Sequence, residues 1–291
     1  MTAAGQLPRI SIVTPSYNHA PFLRETLASV LDQAYPNLEY VVIDGGSADG
    51  SADIIRQHAD RLAYWASEPD GGQYDAINKG FAHCTGDIMG WLNSDDKYCP
   101  WTFQTVAKIF QEVPQVHWLT SATHLVWDER GGLLTTIYSS LHARTWFYRG
   151  WTLQNHKGFK GWIQQEATFW RRELWEKAGG RVDASLQYAG DYELWARFWQ
   201  HADLTTTLSP LGGFRVHAVQ KTERMGEYYA EAEQVLARYR DQTLRHPVLL
   251  WLAQQLFKRT GRGGRRFGSR QTHVEFNWQS HRFQLAHRYC I

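Results

Sequence analysis

Three groups of polar residues near the N-terminus have the composition needed to bind a polar ligand together. They lie at 14–18, 44–49 and 93–96 and supply hydroxyl, amide and carboxylate groups. Taken singly, each group could be an ordinary solvated turn. Each one, however, directly follows a short apolar run typical of buried strands, and strand ends that meet at one edge of a sheet form a common ligand site. We therefore expect the three groups to converge.

The apolar runs alternate with segments of helical periodicity. The sequence predicts strands at 10–15, 38–44, 62–67 and 87–92 and helices at 21–31, 51–59 and 74–83. Such alternation is typical of right-handed βαβ units, which build a mostly parallel sheet with helices on both faces. The first hundred residues therefore predict half of a doubly wound, Rossmann-like α/β domain, in which a ligand lies beyond the carboxyl ends of the strands.

The pattern is weaker after residue 100. It predicts a helix at 101–112, strands at 116–120 and 133–138, and an irregular, aromatic-rich stretch at 141–162. An amphipathic helix begins at Asp191. No low-complexity linker or internal repeat divides this part of the chain, so a second independent domain is not required.

Composition limits the class of protein. The chain has 291 residues, a formal charge of +2, 21% charged residues and 43% hydrophobic residues, which excludes a disordered chain and favours a globular enzyme. Cys84, Cys99 and Cys290 are too few and too scattered for a disulfide framework or a zinc cluster. No segment approaches the ~18 apolar residues of a membrane span, and residues 1–8 lack a signal-peptide pattern. We expect a cytoplasmic protein.

Four segments of the first hundred residues and one later stretch form a combined pattern. The four are SIVTPSYN (11–18), VIDGGSADG (42–50), EPDGGQYDAINKG (68–80) and GWLNSDD (90–96). In this order they resemble the nucleotide-sugar half of a family-2 glycosyltransferase, an inverting enzyme of the glycosyltransferase-A fold. The later stretch, QEATFWRR (165–172) through AGDYELW (189–195), resembles the acceptor side of the same family.

The resemblance implies both an activity and a division of the chain. The activity is transfer of a hexosyl or N-acetylhexosaminyl group from a UDP- or GDP-linked sugar to a hydroxyl of a glycan or lipid-linked acceptor, in bacterial surface-polysaccharide assembly. The catalytic domain would span 1–241, with a nucleotide-sugar half at 9–100 and an acceptor half at 101–241. The resemblance covers roughly residues 9–220 and leaves the tail unexplained; from its charge pattern we expect a basic, partly helical extension at 242–291.

The resemblance also implies a divalent metal ion at the donor diphosphate. Asn93 takes the first place of the family's Asp-x-Asp motif, which leaves Asp95 as the metal contact and puts Asn93 and Asp96 beside the substrate. Oxygen ligands favour Mn²⁺ or Mg²⁺ over zinc. His217 is a second candidate ligand, although a lone histidine is more often a structural hydrogen-bonding residue. The alternative for 93–96 is a helix cap or an Asx turn.

Catalysis needs a carboxylate that takes the proton of the acceptor hydroxyl. The resemblance assigns this role to Asp191, the second place of an acidic pair whose first place is Gly190. Glu166 is the rival base and a substrate-binding candidate. Asp191 could instead be an acid that only stabilises a helix N-terminus. Aromatic side chains of the acceptor half could stack on sugars or pack in the core; they are Trp146, Phe147, Tyr148, Trp151, Trp162 and Trp170.

The remaining site candidates would contact the donor nucleotide. The resemblance places the base and ribose near Thr14, Pro15 and Asn18, although Thr and Asn also favour plain turns. Asp44 could accept from a pyrimidine N–H, and it would do so alone because Gly45 stands where many relatives carry a second Asp. In the segment 68–80, Asp75 and Asn78 could meet the donor, although the family's usual Arg is absent from this point.

The C-terminal tail is a separate electrostatic unit. Residues 242–274 contain seven Lys and Arg and no acidic residue, beginning with the apolar segment 247–257. This pattern is typical of an interfacial anchor on an anionic membrane surface, here through 242–270, and equally of a helix packed on the core. Nucleic acid is not expected as a partner, because the basic charge is confined to one tail.

Two other functions are compatible with the sequence. A nucleotidyltransferase would need basic residues for a triphosphate near the first loop, where only Arg24 is close. A non-catalytic nucleotide-sugar or glycan-binding protein would explain Asn93 and Gly190, but the presence of both Asp95 and Asp191 argues against a loss of activity.

Overall fold

The computed structural model describes residues 7–218, 220, 224–239 and 269–290. Its first part contains the expected alternation of strands and helices. The elements are β1 (Ile10–Ser16), α1 (Ala20–Leu31), β2 (Leu38–Asp44), α2 (Ser51–Arg56), β3 (Tyr64–Ser67), α3 (Gln73–Ala82) and β4 (Ile88–Trp91). Pro21 lies in the first turn of α1, where its missing N–H costs no hydrogen bond, and the Asp49 carboxylate accepts the N–H of Ala20.

The second part contributes further strands and the helices of the acceptor side. The elements are β5 (Lys97–Tyr98), α4 (Thr102–Glu112), β6 (Trp118–Ser121), β7 (Thr123–Trp127), β8 (Leu133–Tyr138), α5 (Arg144–Tyr148), β9 (Phe169–Arg171), α6 (Arg172–Lys177), α7 (Gly190–His201), β10 (Thr205–Thr207), β11 (Gly212–Arg215), α8 (Met225–Tyr239), β12 (Ser269–Asn277) and β13 (Arg282–Cys290). Short 3₁₀ turns lie at Ala59–Arg61 and Gln165–Ala167.

A central sheet and a small sheet organise these strands. In the described part of the chain, the central sheet has nine strands in the order β13-β12-β10-β6-β9-β4-β1-β2-β3, and the small sheet has four in the order β5-β11-β7-β8. β1 lies in parallel between β2 and β4, with Ser16 opposite Asp44 and Val13 opposite Trp91. β9 runs antiparallel to both β4 and β6. The chain therefore reverses its direction of strand addition between β1 and β4.

Separate apolar cores cover the two faces of the central sheet. Successive side chains of β1 point to opposite faces, so Ile12 packs toward α1 and α4 while Val13 packs toward α3 and α7. Most aromatic side chains that the sequence left undecided between core and groove lie in the core. Trp146, Phe147, Tyr148 and Trp170 are buried, whereas Trp151 and Trp162 are half-buried.

The last described residues, 269–290, are β-strands, and they lie within the extension at 242–291 that we expect to be partly helical. Residues 269–290 form a hairpin in which β12 and β13 are antiparallel, and β12 joins β10 in parallel, so the hairpin continues the central sheet. Alternation of side-chain exposure favours a strand here, because Thr272 and Val274 are buried against the protein while Glu275 is exposed. The apolar segment 247–257 lies outside the described residues, and the boundary at 241/242 stays a prediction. Among the described residues, no helix has both the length and the apolar character of a membrane span.

Candidate active site

The strand order reverses between β1 and β4, and the loops beyond the carboxyl ends of these two strands form the candidate site. In doubly wound sheets, ligands bind at this kind of switch point. Here the loop after β1 carries His19, and the loop after β4 carries Ser94 and Asp95; His19 Nδ1 lies 2.7 Å from Ser94 Oγ. The two loops are thus joined directly at the point where the topology predicts a ligand.

Asp95 forms a pair with His217, which follows β11 of the small sheet. His217 Nε2 lies 3.1 Å from Asp95 Oδ2, and its ring packs on Phe22 with centroids 4.4 Å apart. Burial acts to raise the pKa of the Asp95 carboxyl, but the hydrogen bond from His217 and the positive field at His19 outweigh it, so the pKa lies below its usual value. Asp95 is therefore held as a carboxylate. Sequence reasoning missed His19, for which only its position after β1 was a signal.

Asn93 and Asp96 belong to a chain of buried hydrogen bonds beside this pair. Gln73 Nε2 donates to Asn93 Oδ1 at 2.7 Å, and Asn93 Nδ2 donates to Asp96 Oδ2 at 3.2 Å. The other oxygen of Asp96 accepts the backbone N–H of Arg215 at 3.0 Å. Burial, reinforced by the charge of Asp95, raises the pKa of Asp96 well above its usual range. Asp96 thus faces inward and ties the loop after β4 to β11.

Arg215 is a buried cation that the sequence analysis did not single out. Its guanidinium binds Glu25 Oε2 at 2.6 Å and the backbone oxygen of Asp95 at 2.7 Å. It also donates to the backbone oxygens of Asp128 and Glu129 at 3.2 and 3.1 Å. An arginine within the apolar run of a strand was the available signal. Its role is to fix the backbone that presents Asp95.

The loops after β1 and β2 bind each other where the resemblance placed the nucleotide. Asp44 accepts from Ser47 Oγ at 2.6 Å and from Ser67 Oγ at 2.7 Å. Asn18, at φ 52°, accepts the N–H of Ala48 at 3.0 Å and is exposed. Thr14 is fully buried, and its hydroxyl lies 2.9 Å from the Tyr40 hydroxyl inside the core. Of these candidates, only Asn18 therefore presents its side chain at the surface.

Close packing determines the surroundings of Pro15 and Gly45. Pro15 is buried in β1, so its side chain does not face solvent. A Cβ atom at Gly45 would lie only 3.0 Å from Asp70 Oδ2. The Asp70 carboxylate therefore fills the space that a second acidic side chain after β2 would need.

Asp75 and Asn78 hold protein backbone. Asp75 accepts the N–H of Gly71 at 2.9 Å and pairs with Lys79 at 3.2 Å. Asn78 exchanges two hydrogen bonds with the backbone of Val182. Asn78 thus joins α3 to the acceptor half, and its contact with the donor stays a prediction.

The two candidate bases differ in exposure, because Asp191 is half-buried whereas Glu166 is buried. Asp191 lies in the first turn of α7 and accepts the N–H of Tyr192 at 2.8 Å; burial raises its pKa to about 6. Glu166 is 6% exposed, with its Oε1 atom buried and unpaired. Burial, with repulsion from Asp191 and Asp95, raises the pKa of Glu166 to about 7. The pKa of Glu166 therefore depends on the charges of Asp95 and Asp191, which lie in different halves of the site.

Helix α8 also holds the segment before Asp191. One oxygen of Glu231 accepts the N–H groups of Tyr188 and Ala189, each at 2.8 Å, and the other accepts that of Gln187 at 3.0 Å. Tyr228 adds a side-chain hydrogen bond to the Asp191 carboxylate. Sequence reasoning missed both residues, because their positions reveal nothing about this contact.

A divalent ion is compatible with the Asp95–His217 pair only if a substrate supplies most of its ligands. Within residues 7–218, 220, 224–239 and 269–290, no three His, Cys, Asp or Glu side chains group as a metal site. One carboxylate oxygen and one imidazole nitrogen leave the other positions of Mg²⁺ or Mn²⁺ to water and phosphate oxygens. The residues therefore fit an ion shared with a diphosphate.

Comparison with known sequences gives a family match and several relatives. The profile of the family described as "Glycosyl transferase family 2" matches residues 11–165. An uncharacterised glycosyltransferase of Mycobacterium tuberculosis is 43% identical over 34% of this chain and 37% of its own length. One of Rickettsia prowazekii is 26% identical over 74% of this chain and 66% of its own. The putative teichuronic acid biosynthesis glycosyltransferase TuaG of Bacillus subtilis is 36% identical over 31% and 37%. The matches thus span between about a third and two thirds of these relatives.

Comparison with solved structures gives likenesses of fold. S. aureus TarS 1–349 in complex with UDP-GlcNAc matches with a TM-score of 0.61 and 17% identity, over 89% of this chain and 76% of that one. The mannosyltransferase PcManGT of Pyrobaculum calidifontis, in complex with GDP-Man and Mn²⁺, matches with a TM-score of 0.54 and 20% identity, over 90% and 76%. At such identities, the likeness concerns the arrangement of strands and helices.

Proposed function

The chain belongs to glycosyl transferase family 2, and from this premise we propose that it is a metal-dependent inverting glycosyltransferase. It moves a hexosyl or N-acetylhexosaminyl group from a nucleoside diphosphate sugar to a hydroxyl of a glycan or lipid-linked acceptor. The observation that carries the proposal is the pairing of Asp95 with His217 at the switch point between β1 and β4. The half-buried carboxyl group of Asp191 at the start of α7 supplies the second chemical requirement.

The donor nucleotide binds over the loops that follow β1 and β2. Asn18 and Asp70 supply amide and carboxylate groups there. The hydrogen bond from the Ala48 N–H to Asn18 Oδ1 holds the two loops together beneath the nucleotide. A uracil or guanine base suits this surface because both carry N–H groups that a carboxylate can accept. TarS in complex with UDP-GlcNAc and PcManGT in complex with GDP-Man support a donor of this class.

When the bond between the anomeric carbon and the diphosphate breaks, its electron pair passes to the diphosphate oxygen, and the site has to stabilise this added negative charge. A Mn²⁺ or Mg²⁺ ion held by Asp95, His217 and the diphosphate would supply that positive charge. His217 keeps Asp95 ionised, and Arg215 fixes the backbone of Asp95, so the carboxylate is oriented before the donor arrives.

Asp191 acts as the general base toward the acceptor. Its carboxylate accepts the proton of the acceptor hydroxyl while the oxygen attacks the anomeric carbon from the face opposite the diphosphate, which inverts the configuration in one displacement. Its pKa of about 6 suits this role, since it is ionised at neutral pH and more basic than an ordinary aspartate. Glu166 is the rival base, with a pKa of about 7.

One relative supports the proposed setting of the reaction. TuaG, named for teichuronic acid biosynthesis, supports a place in bacterial cell-envelope polysaccharide assembly. A lipid-linked acceptor would bring the enzyme to the inner face of the plasma membrane, where the basic segment within 242–270 would meet anionic lipids. This segment lies mostly outside the described residues.

The test is donor hydrolysis with a panel of nucleotide sugars in Mn²⁺, Mg²⁺ or EDTA. We expect metal-dependent release of one nucleoside diphosphate by the wild type and its loss in Asp95→Ala. Asp53→Ala is the matched control, because this acid is exposed on α2 and pairs with the exposed Arg56 on the same helix. Donor binding without turnover, with any acceptor, would favour a nucleotide-sugar-binding protein. Absence of binding to every donor would refute the proposal.

A further inference from the structure

Two side chains of α3, one helical turn apart, form hydrogen bonds with residues 182–190, the segment that leads into Asp191. The Tyr74 hydroxyl donates to the backbone oxygen of Tyr188 at 2.6 Å and accepts the N–H of Gly190 at 2.9 Å. Four residues along the same face, Asn78 donates to the backbone oxygen of Val182 at 2.9 Å and accepts its N–H at 2.8 Å. Four hydrogen bonds thus join α3 to both ends of residues 182–190.

The contact at Gly190 leaves no room for another side chain. A Cβ atom at position 190 would lie 2.6 to 2.8 Å from ring atoms of Tyr74, closer than any real contact. Tyr74 is itself only 6% exposed. The Tyr74 ring therefore explains why glycine stands beside Asp191, where the resemblance led us to expect an acid.

The same helix reaches the Asp95 side of the site. Gln73, the first residue of α3, donates to Asn93 two positions before Asp95. A groove of about 280 Å³ lies between the start of α3 and residues 182–190. It is lined by Gly71 to Tyr74 and by Ala184 to Tyr188. One rigid helix is thus bonded to the loop of Asp95 and to the loop of Asp191.

We propose that Tyr74 and Asn78 are positioning residues that set the place of Asp191 relative to the donor. The inference rests on the proposed function, because it assigns Asp191 the role of base. Gly190 and Asp191 form the first turn of α7, so the Tyr74 hydroxyl fixes the peptide group next to the base. A displacement of about 1 Å at a reacting group can lower a rate by roughly 10²-fold.

Tyr74→Phe is the decisive variant, since it removes the hydroxyl and keeps the ring against Gly190. Tyr35→Phe is the matched control: its hydroxyl is also buried and donates to a backbone oxygen, that of Pro8 at 2.8 Å, far from the site. We expect Tyr74→Phe to lower kcat for transfer by about 10- to 100-fold while nucleoside diphosphate affinity stays within about twofold. Tyr35→Phe should shift the melting temperature similarly without changing kcat.

Asn78→Ala tests whether both contacts act through one segment. If they do, the double variant loses less activity than the product of the two single losses, because the first change already releases the segment. If the two single losses of activity multiply in the double variant, the two side chains act independently, which would contradict the proposal that they act through one segment.

Hydrogen exchange supplies a readout that does not depend on activity. In the wild type, the amides of Val182 and Gly190 should exchange slowly, and in Tyr74→Phe that of Gly190 should exchange at least tenfold faster, with no change in Tyr35→Phe. Equal exchange rates of the Gly190 amide in the wild type and Tyr74→Phe would overturn the proposed positioning role. Full kcat in Tyr74→Phe, with an inactive Asp191→Asn, would also overturn it and leave the proposed function intact. A wild type without transfer would refute the function alone.

Discussion

Replacing Asp191 by asparagine is expected to lower the rate of sugar transfer by about 10²- to 10⁴-fold, the usual contribution of a general base. Asparagine keeps the size of the side chain and can still accept the N–H of Tyr192, so α7 should form normally. The loss should fall on kcat, with the affinity for the donor unchanged. A fall in donor affinity with full kcat would refute the assignment of Asp191 as base.

The pH dependence of the wild type tests whether a carboxyl group with a raised pKa is the base. Because burial places the pKa of Asp191 at about 6, about one tenth of it is ionised at pH 5 and about nine tenths at pH 7. The rate should therefore rise with pH, with a midpoint near pH 6. Because burial also raises the pKa of Glu166, to about 7, the variants decide between the two groups: the base is the residue whose replacement, Asp191→Asn or Glu166→Gln, removes this pH dependence.

The same shift predicts a gain in stability for Asp191→Asn. The carboxyl titrates near 3.8 in the unfolded chain and at about 6 in the folded protein, so the native state loses stability as pH rises between these values. At about 1.4 kcal/mol per pKa unit, the full effect is at most about 3 kcal/mol. Denaturant titration should show Asp191→Asn more stable than the wild type at pH 7 and equally stable below pH 4. Equal stability at both pH values would contradict the shift.

Three further predictions concern residues that shape the site. His217→Ala should lower metal-dependent turnover at least about tenfold, measured as nucleoside diphosphate release, because Asp95 loses the partner that keeps it ionised; full turnover would remove His217 from the metal site. Arg215→Met should lower the free energy of unfolding by about 3 kcal/mol, since Glu25 and three backbone oxygens lose their donor, whereas the exposed Arg24→Met should change it by less than about 0.5 kcal/mol. Gly190→Ala should cost about 1 to 3 kcal/mol by crowding Tyr74, while Gly226→Ala, which meets open space in α8, should be neutral or stabilising by the same unfolding assay.

The sequence determined the alternating half of the fold and its family. The strand predicted at 38–44 has those bounds in the structure, and the predicted strand at 10–15 is one residue longer. Local patterns sufficed because each apolar run or helical stripe describes the burial of its own element. The order and spacing of the motifs identified the family, and the likeness to solved structures confirms the glycosyltransferase-A fold.

The tertiary structure alone decided what the individual site candidates touch. The segments that carry the resemblance led us to expect Asn78 and Thr14 near the donor. Only the structure shows that the Asn78 amide bonds to Val182 and that the Thr14 hydroxyl lies beside that of Tyr40 inside the core. Whether a polar side chain at a strand end faces the candidate site or the neighbouring loop depends on which element packs beside it. No local pattern carries that information.

The long-range contacts follow the same rule. β9 enters the sheet between β4 and β6, and β11 brings His217 to Asp95 from the far side of the chain. Such pairings depend on how whole elements stack on the sheet, because residues that are distant in sequence share no periodicity. The sequence therefore supplied the chemical groups, and the packing of α3, α7 and β11 determined which of them form the candidate site.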